Sequence, residues 1–201
     1  NNDPGIVIIP YTPNTGQTST ASTNNWINSV SYSYAAPFTP STFLAYVKSR
    51  KEYRTITNFN SLSNGIYLYN GDVTIDNTTE NLITAAAPVF IFVSGDVTIN
   101  SGDNVFGNNA TPQSVVIVTN GTLNISPNMQ QLNGLFVADQ INFGLSSTPL
   151  KIVGNIIANS PSEPVSRNRA DQTRPSVFIV VRPEMYVDLL PFFSTATYEW
   201  K

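Results

Sequence analysis

Val89 to Asn100 reads Val-Phe-Ile-Phe-Val-Ser-Gly-Asp-Val-Thr-Ile-Asn, and it is the middle of three versions of one phrase. Before it, Gly65 to Asp76 reads Gly-Ile-Tyr-Leu-Tyr-Asn-Gly-Asp-Val-Thr-Ile-Asp; after it, Val115 to Ser126 reads Val-Val-Ile-Val-Thr-Asn-Gly-Thr-Leu-Asn-Ile-Ser. Each version is an apolar β-type run, a glycine pivot, and a second run in which apolar and polar residues alternate. The pivots Gly71, Gly95 and Gly121 stand 24 and 26 residues apart. A period of this length argues for stacked coils, each burying its apolar side only against its neighbours. Two weaker versions follow: Leu135 to Phe143, with Asp139 at the pivot, and Lys151 to Ala158, with Gly154. The fold expected is all-β, a single-stranded parallel β-helix.

Within the second runs, Val73 and Ile75, Val97 and Ile99, Leu123 and Ile125, and Ile141 and Phe143 fall at period 2. They are expected to point inward as two ladders, Val73/Val97/Leu123/Ile141 and Ile75/Ile99/Ile125/Phe143. The pivot glycines suit corners where φ is positive or backbones come close. The segments between, such as Asn77 to Ala87 and Asn100 to Gln113, read as polar loops.

The flanks read differently. Residues 1–40 form an extended segment: one short strand at Ile6 to Ile9, bounded by Pro4 and Pro10, then a Thr/Ser/Asn-rich stretch. Residues 41–201 form the solenoid domain, with coils over 65–158. Over 41–52, within Thr39 to Glu52, lies a helix capped by Ser41 or Thr42. Its residues Phe43, Leu44 and Val47 share one face, and Lys48 and Arg50 sit at the end that the helix dipole favours for cations. An open β-helix end exposes core and unpaired backbone, so this helix is expected to act as a lid. Residues 160–201 read as a C-terminal cap: a polar break, a buried strand at Ser176 to Arg182, a turn-rich apolar segment at Pro183 to Pro191, and a return strand at Thr195 to Trp200.

Composition narrows the chemistry. Of 201 residues only 11% are charged, the formal net charge is −3, and there is no Cys and no His. Without thiolates or imidazoles the usual zinc sites, a Cys nucleophile and a His-based triad are out of reach. A pI near 4.8 offers no basic field for nucleic acid. No run approaches the roughly 20 apolar residues of a membrane span, and Asn1, Asn2 and Asp3 do not resemble a signal peptide.

The candidate sites each have a plain alternative. Asp72 and Asp96 occupy equivalent corners, expected about 4.8 Å apart, while a glycosidase pair sits about 5 to 9.5 Å apart across a cleft. The next coil carries Thr122 there, and corner Asp residues bond turn N–H groups, so a structural role is favoured. Asn100, Asp103, Asn104, Asn108 and Asn109 form an oxygen-rich loop with one carboxylate, thin for a hard cation. Lys48, Arg50, Lys51 and Arg54 form an anion-site candidate or a solvated helix end. The contacts singled out for a ligand or partner are Arg167, Arg169, Asp171 and Arg174, whose arginines can clamp an acidic sugar or a partner carboxylate or, as the plainer reading, pair with Asp171 and Glu163 and bond carbonyls. Trp26, Tyr32 and Tyr34 can stack on sugars or cover the solenoid side. No catalytic residue, cofactor-binding residue or metal ligand is assigned, and no cofactor is expected.

Taken together, "GDVTI" at Gly71–Ile75 and Gly95–Ile99, "LKIVGNIIANS" at Leu150–Ser160, "SRNRADQTRP" at Ser166–Pro175 and the ending "PSVFIVVRPEMYVDLLPFFSTATYEW" at Pro175–Trp200 resemble the C-terminal β-helical domain of bacterial pilin-like cell-surface proteins. The resemblance spans roughly Ser41 to Lys201. It implies an exported β-solenoid behind a hydrophobic prepilin-type segment, other surface or pilus proteins or glycans as partners, and no catalytic residues. The function expected is a non-enzymatic extracellular or cell-surface structural and adhesion module. The alternatives are a carbohydrate-active β-helix enzyme, marked by a side groove of clustered charges, and a self-polymerising scaffold resembling bactofilins, marked by two uncapped ends.

Overall fold

The computed structural model describes residues 6–8, 27–29, 39–50, 52–60, 62–85, 87–102, 104–107, 113–159, 167 and 176–193. In chain order these form β1 (Ile6–Ile8), β2 (Ile27–Ser29), α1 (Pro40–Arg50), β3 (Arg54–Ile56), β4 (Gly65–Tyr69), β5 (Val73–Ile75), α2 (Asn77–Thr84), β6 (Val89–Val93), β7 (Val97–Ile99), β8 (Asn104–Val105), β9 (Val115–Thr119), β10 (Thr122–Ile125), β11 (Gln131–Ala138), β12 (Gln140–Asn142), β13 (Leu150–Ala158), β14 (Val177–Val180) and α3 (Pro183–Phe193).

The chain winds as a parallel β-solenoid. Each of four coils contributes one strand to a large sheet and one to a small sheet. The small sheet runs β5-β7-β10-β12; the large one runs β3-β4-β6-β9-β11-β13-β14, with β8 paired to the first residues of β11. All these pairings are parallel.

The register confirms the inward ladders. Val73 pairs with Val97, Val97 with Leu123 and Leu123 with Ile141, while Ile75, Ile99 and Ile125 form the neighbouring rung. Phe143, just past β12, is buried in the same core. From the opposite wall Tyr67, Ile91 and Ile117 meet them, also in register.

The large sheet is buried on its other face too. Ile66, Phe90, Phe92, Val116, Val118, Leu135 and Val137 point outward into a second apolar cluster with Val47 of α1 and Met185 and Leu189 of α3. This corrects the expected place of the helix over 41–52. Phe43 lies 5.5 Å from Phe90 and 5.9 Å from Phe92, centroid to centroid, so α1 covers the flank of the second coil and not the open end of the first. The reason is in β6 itself, where five consecutive apolar residues leave an outer apolar face that must be covered. Its cap also differs. Thr39 serves, its Oγ1 accepting the Thr42 N–H at 3.1 Å and its N–H donating to Thr42 Oγ1 at 3.1 Å, with Pro40 in the first turn.

The N-terminal end of the interior is closed by the chain between β3 and β4. Phe59 is buried in the core and stacks on Tyr69, with ring centroids 5.4 Å apart and planes 6° from parallel, and Leu62 packs beside it. Of the run Ile6 to Ile9, Ile6–Ile8 forms β1, paired with β2 and lying beside β14.

Two further expectations are corrected. Asn77 to Ala87 is not all loop, because it holds α2, capped by Asp76, whose carboxylate accepts the Thr79 N–H at 2.8 Å. Pro183 to Pro191 is not turn-rich but helical in α3, which is fastened by Ser114 donating to Asp188 Oδ2 at 2.6 Å and by Asn155 Nδ2 donating to Tyr186 Oη at 3.1 Å. The Ser176 to Arg182 strand is present as β14, half-buried as the last rung. The return strand at Thr195 to Trp200 lies outside the described residues.

Gly154 is also not a pivot. It sits mid-strand opposite Gly134, and both have positive φ, +133° and +136°. At Gly134 the partner of β11 changes from β8 to β9, so the strand must bend there. A Cβ on Gly154 would press on the Gly134 carbonyl and come within 2.9 Å of Met185 Cε, so the glycine lets α3 settle against the strand.

Candidate functional site

The corner carboxylates bind the next coil. Asp72 Oδ1 accepts the Asp96 N–H at 2.8 Å, and Asp96 Oδ1 accepts the Thr122 N–H at 2.7 Å. A Cβ built on Gly95 would collide with Asp72 Oδ1, and one on Gly121 with Asp96 Oδ1. Each carboxylate therefore occupies the volume that the glycine above it leaves free. The rule has a built-in control: Thr122 carries no carboxylate, and the position above, aligned with Gly121, is Asp139 and not glycine. The carboxylates are thus bound to main chain at the corners, as the plain reading expected.

Glu80 is similarly engaged. One of its oxygens accepts the Phe106 N–H at 2.8 Å and the other accepts the Ser101 hydroxyl at 2.7 Å, tying α2 to the loop after β7. Asn77 Oδ1 shares that hydroxyl hydrogen as a second acceptor. In the oxygen-rich loop Asn100 and Asn104 are exposed, whereas Asp103, Asn108 and Asn109 lie outside the described residues. Among the described residues no three His, Cys, Asp or Glu side chains gather as a metal site, and no helix is long and apolar enough to cross a membrane. Two side chains of the basic group are described. Lys48 lies over the Tyr53 ring at 5.8 Å and Arg54 Nη1 donates to Ser63 Oγ at 3.1 Å; the Arg50 side chain and Lys51 lie outside the described residues.

Arg167 is not a surface contact. It is 2% exposed, and its guanidinium donates to three carbonyls: Nη1 to Met129 and Thr148 at 2.9 Å each, and Nη2 to Ser126 at 2.8 Å. Those carbonyls belong to turns of two successive coils, so Arg167 staples the stack. Burial pushes its pKa below the ordinary guanidinium value. Arg169, Asp171, Arg174, Trp26, Tyr32 and Tyr34 lie outside the described residues.

The small sheet presents the molecule's polar wall. Thr74, Thr98, Asn124 and Asn142 align in register on its outer side and are exposed or half-exposed, with Asn142 Nδ2 donating to Asn124 Oδ1 at 3.3 Å. At the first rung this wall opens into a cleft of about 320 Å³, lined by Thr57, Asn58, Asn60, Asp72, Thr74 and Thr79 together with Phe59, Tyr69, Val73 and Leu82. The cleft exists because β3 extends the large sheet one strand beyond β4, while among the described residues no strand extends the small sheet beyond β5. Of these residues the sequence singles out Asp72 and Val73, for other roles, and not the cleft they share. The available signal was Thr57 to Asn60, in which polar residues surround one aromatic just ahead of the first coil.

The fold defines the chain as a parallel β-solenoid with one sheet sheathed by helices and one whose outer face, among the described residues, no element sheathes. No family model, no curated protein and no solved structure matches it.

Proposed function

We propose that this chain is a non-enzymatic extracellular or cell-surface structural and adhesion module, the exposed domain of a pilin-like protein. The observation that carries the reading is the commitment of Asp72, Asp96 and Glu80 to hydrogen bonds within the stack. A catalyst working near neutral pH without His or Cys needs a carboxylate, Lys or Tyr with a strongly shifted pKa, or a bound metal. Carboxylates that hold coils together favour a scaffold over a reaction. Phe59 and Leu62 at one end of the interior, and β1 beside β14 at the other, favour a finite module over an end-to-end polymer.

The test is to incubate purified protein with a panel of polysaccharides and glycosides, with and without calcium, and to assay release of reducing ends. No turnover is expected. Reproducible turnover that disappears in Asp72→Asn or Asp96→Asn would overturn the reading in favour of a carbohydrate-active enzyme.

A further inference from the structure

We infer that the cleft over β5, continued by the Thr74/Thr98/Asn124/Asn142 ladder, binds an uncharged oligosaccharide. The inference rests on the reading of the chain as an adhesion module and names the site and ligand class that this module would use.

The lining excludes other chemistries one by one. No Lys or Arg is among the described residues that line the cleft, so nothing there recognises a phosphate or a uronic acid. Asp72 is the one carboxylate present, and one of its oxygens already accepts the Asp96 N–H, which leaves too few hard ligands for calcium. Asn58 Oδ1 already accepts the Asn60 N–H at 3.1 Å, but an apolar ligand would cover the Asn58 amide nitrogen, the Asn60 amide and the hydroxyls of Thr57 and Thr74 without offering them partners. What suits the set is a ligand that both donates and accepts hydrogen bonds while offering C–H faces. The amides and hydroxyls match sugar hydroxyl groups, and the half-buried Tyr69 ring, backed by Phe59, supplies an apolar surface for a pyranose.

Size and direction agree. A volume of about 320 Å³ is at the small end of ligand pockets, which run from about 300 to 1,000 Å³, and suits the terminal ring or two of a glycan. Beyond it the ladder repeats hydroxyl and amide groups every ~4.8 Å across the parallel strands. A chain leaving the cleft therefore meets further polar rungs along the same wall.

The experiment is isothermal titration calorimetry of the 201-residue protein with cellohexaose, maltohexaose, laminarihexaose and chitohexaose, and with hexagalacturonate as the charged comparison. At least one neutral hexasaccharide is expected to bind with a Kd between about 10 μM and 1 mM. Asn60→Ala and Thr74→Ala, both at exposed positions, are each expected to weaken binding about fivefold or more. Hexagalacturonate is expected to bind at least about tenfold more weakly beside Asp72. Asn128→Ala, on the exposed turn after β10, should leave affinity unchanged. Failure of all four neutral sugars to bind, or binding indifferent to both cleft variants, overturns the inference. Reducing ends are measured in the same samples. Their release breaks the non-enzymatic reading, whereas absence of both binding and release removes only the cleft.

Discussion

The two sheets of one coil are written in different patterns. β6 and β9 are five apolar or near-apolar residues in a row, all buried, whereas β5 and β7 are Val-Thr-Ile, with inward residues buried and the threonine between them exposed or half-exposed. A parallel strand buried on both faces has no solvent side on which to place a polar residue, and a strand with one open face does. The pattern therefore determines which wall recruits a covering layer. The large sheet draws α1 and α3 onto its outer face, and among the described residues no element sheathes the outer face of the small sheet.

The strongest way to break the stack strikes what both sheets share. Ile99 is fully buried between them. Ile99→Asp forfeits about 1.5–3 kcal/mol of apolar burial and adds the several kcal/mol needed to bury an unpaired carboxylate. Loss of the β-type circular dichroism spectrum at 25 °C is expected.

Next comes the staple. Arg167→Met leaves the carbonyls of Ser126, Met129 and Thr148 without this donor in a buried setting, at a cost of about 3–5 kcal/mol. Urea denaturation measures it, and Arg167→Lys should recover part of the loss.

The contrast between the walls is sharpened by a matched pair. Leu189→Ala, on the sheathed side, should cost about 2–4 kcal/mol. Thr98→Ala, on the open side, should cost under about 0.5 kcal/mol. Equal costs would show that the two outer faces are not differently covered.

A smaller effect tests the corner. Gly121→Ala should cost about 1–3 kcal/mol because its Cβ meets Asp96 Oδ1. In an Asp96→Ala background the same change should cost less, with relief only partial because the Gly95 carbonyl carbon remains 3.0 Å away.

A small, pH-dependent effect is expected at Asp76. Its bond from the Thr79 N–H holds the carboxyl below the usual range. A carboxyl with a depressed folded pKa stabilises above its unfolded pKa, and that stabilisation is lost as pH falls through the folded value. Asp76→Ala should thus lower Tm slightly at pH 7, and the difference from the unaltered protein should fade below about pH 4. Thermal melts at both pH values check it.

The coils were legible because each inward pair, such as Val97 and Ile99, is flanked by a glycine and repeats at a near-constant interval. The helices were less so. α2 offers Leu82 and Ile83 as its apolar anchors, and its cap, Asp76, reads equally well as the last polar residue of an alternating strand. α3 was hidden by its two prolines. Pro183 needs no intrahelical N–H partner in the first turn and Pro191 falls near the end, so the Met185, Leu189, Phe192 face survives both. The cleft was illegible for another reason: it depends on how many strands each sheet has at the first coil, which no local pattern records. Arg167 was legible as a bonding arginine but not as a buried one, because its acceptors are carbonyls about 20 to 40 residues earlier in the chain.

The Asp–Gly interlock also bears on how such a molecule gains or loses length. A unit that begins with a corner aspartate and ends with the next pivot glycine, as Asp72 to Gly95 does, can be copied in tandem, because every new junction again sets a carboxylate beneath a glycine. A copy cut from anywhere that places aspartate under an alanine would carry its own clash. Lineages that grow by duplication would then be filtered at the joints before selection acts on any surface. Thr122 beneath Asp139 reads as the place where that grammar stops and further growth needs a different join.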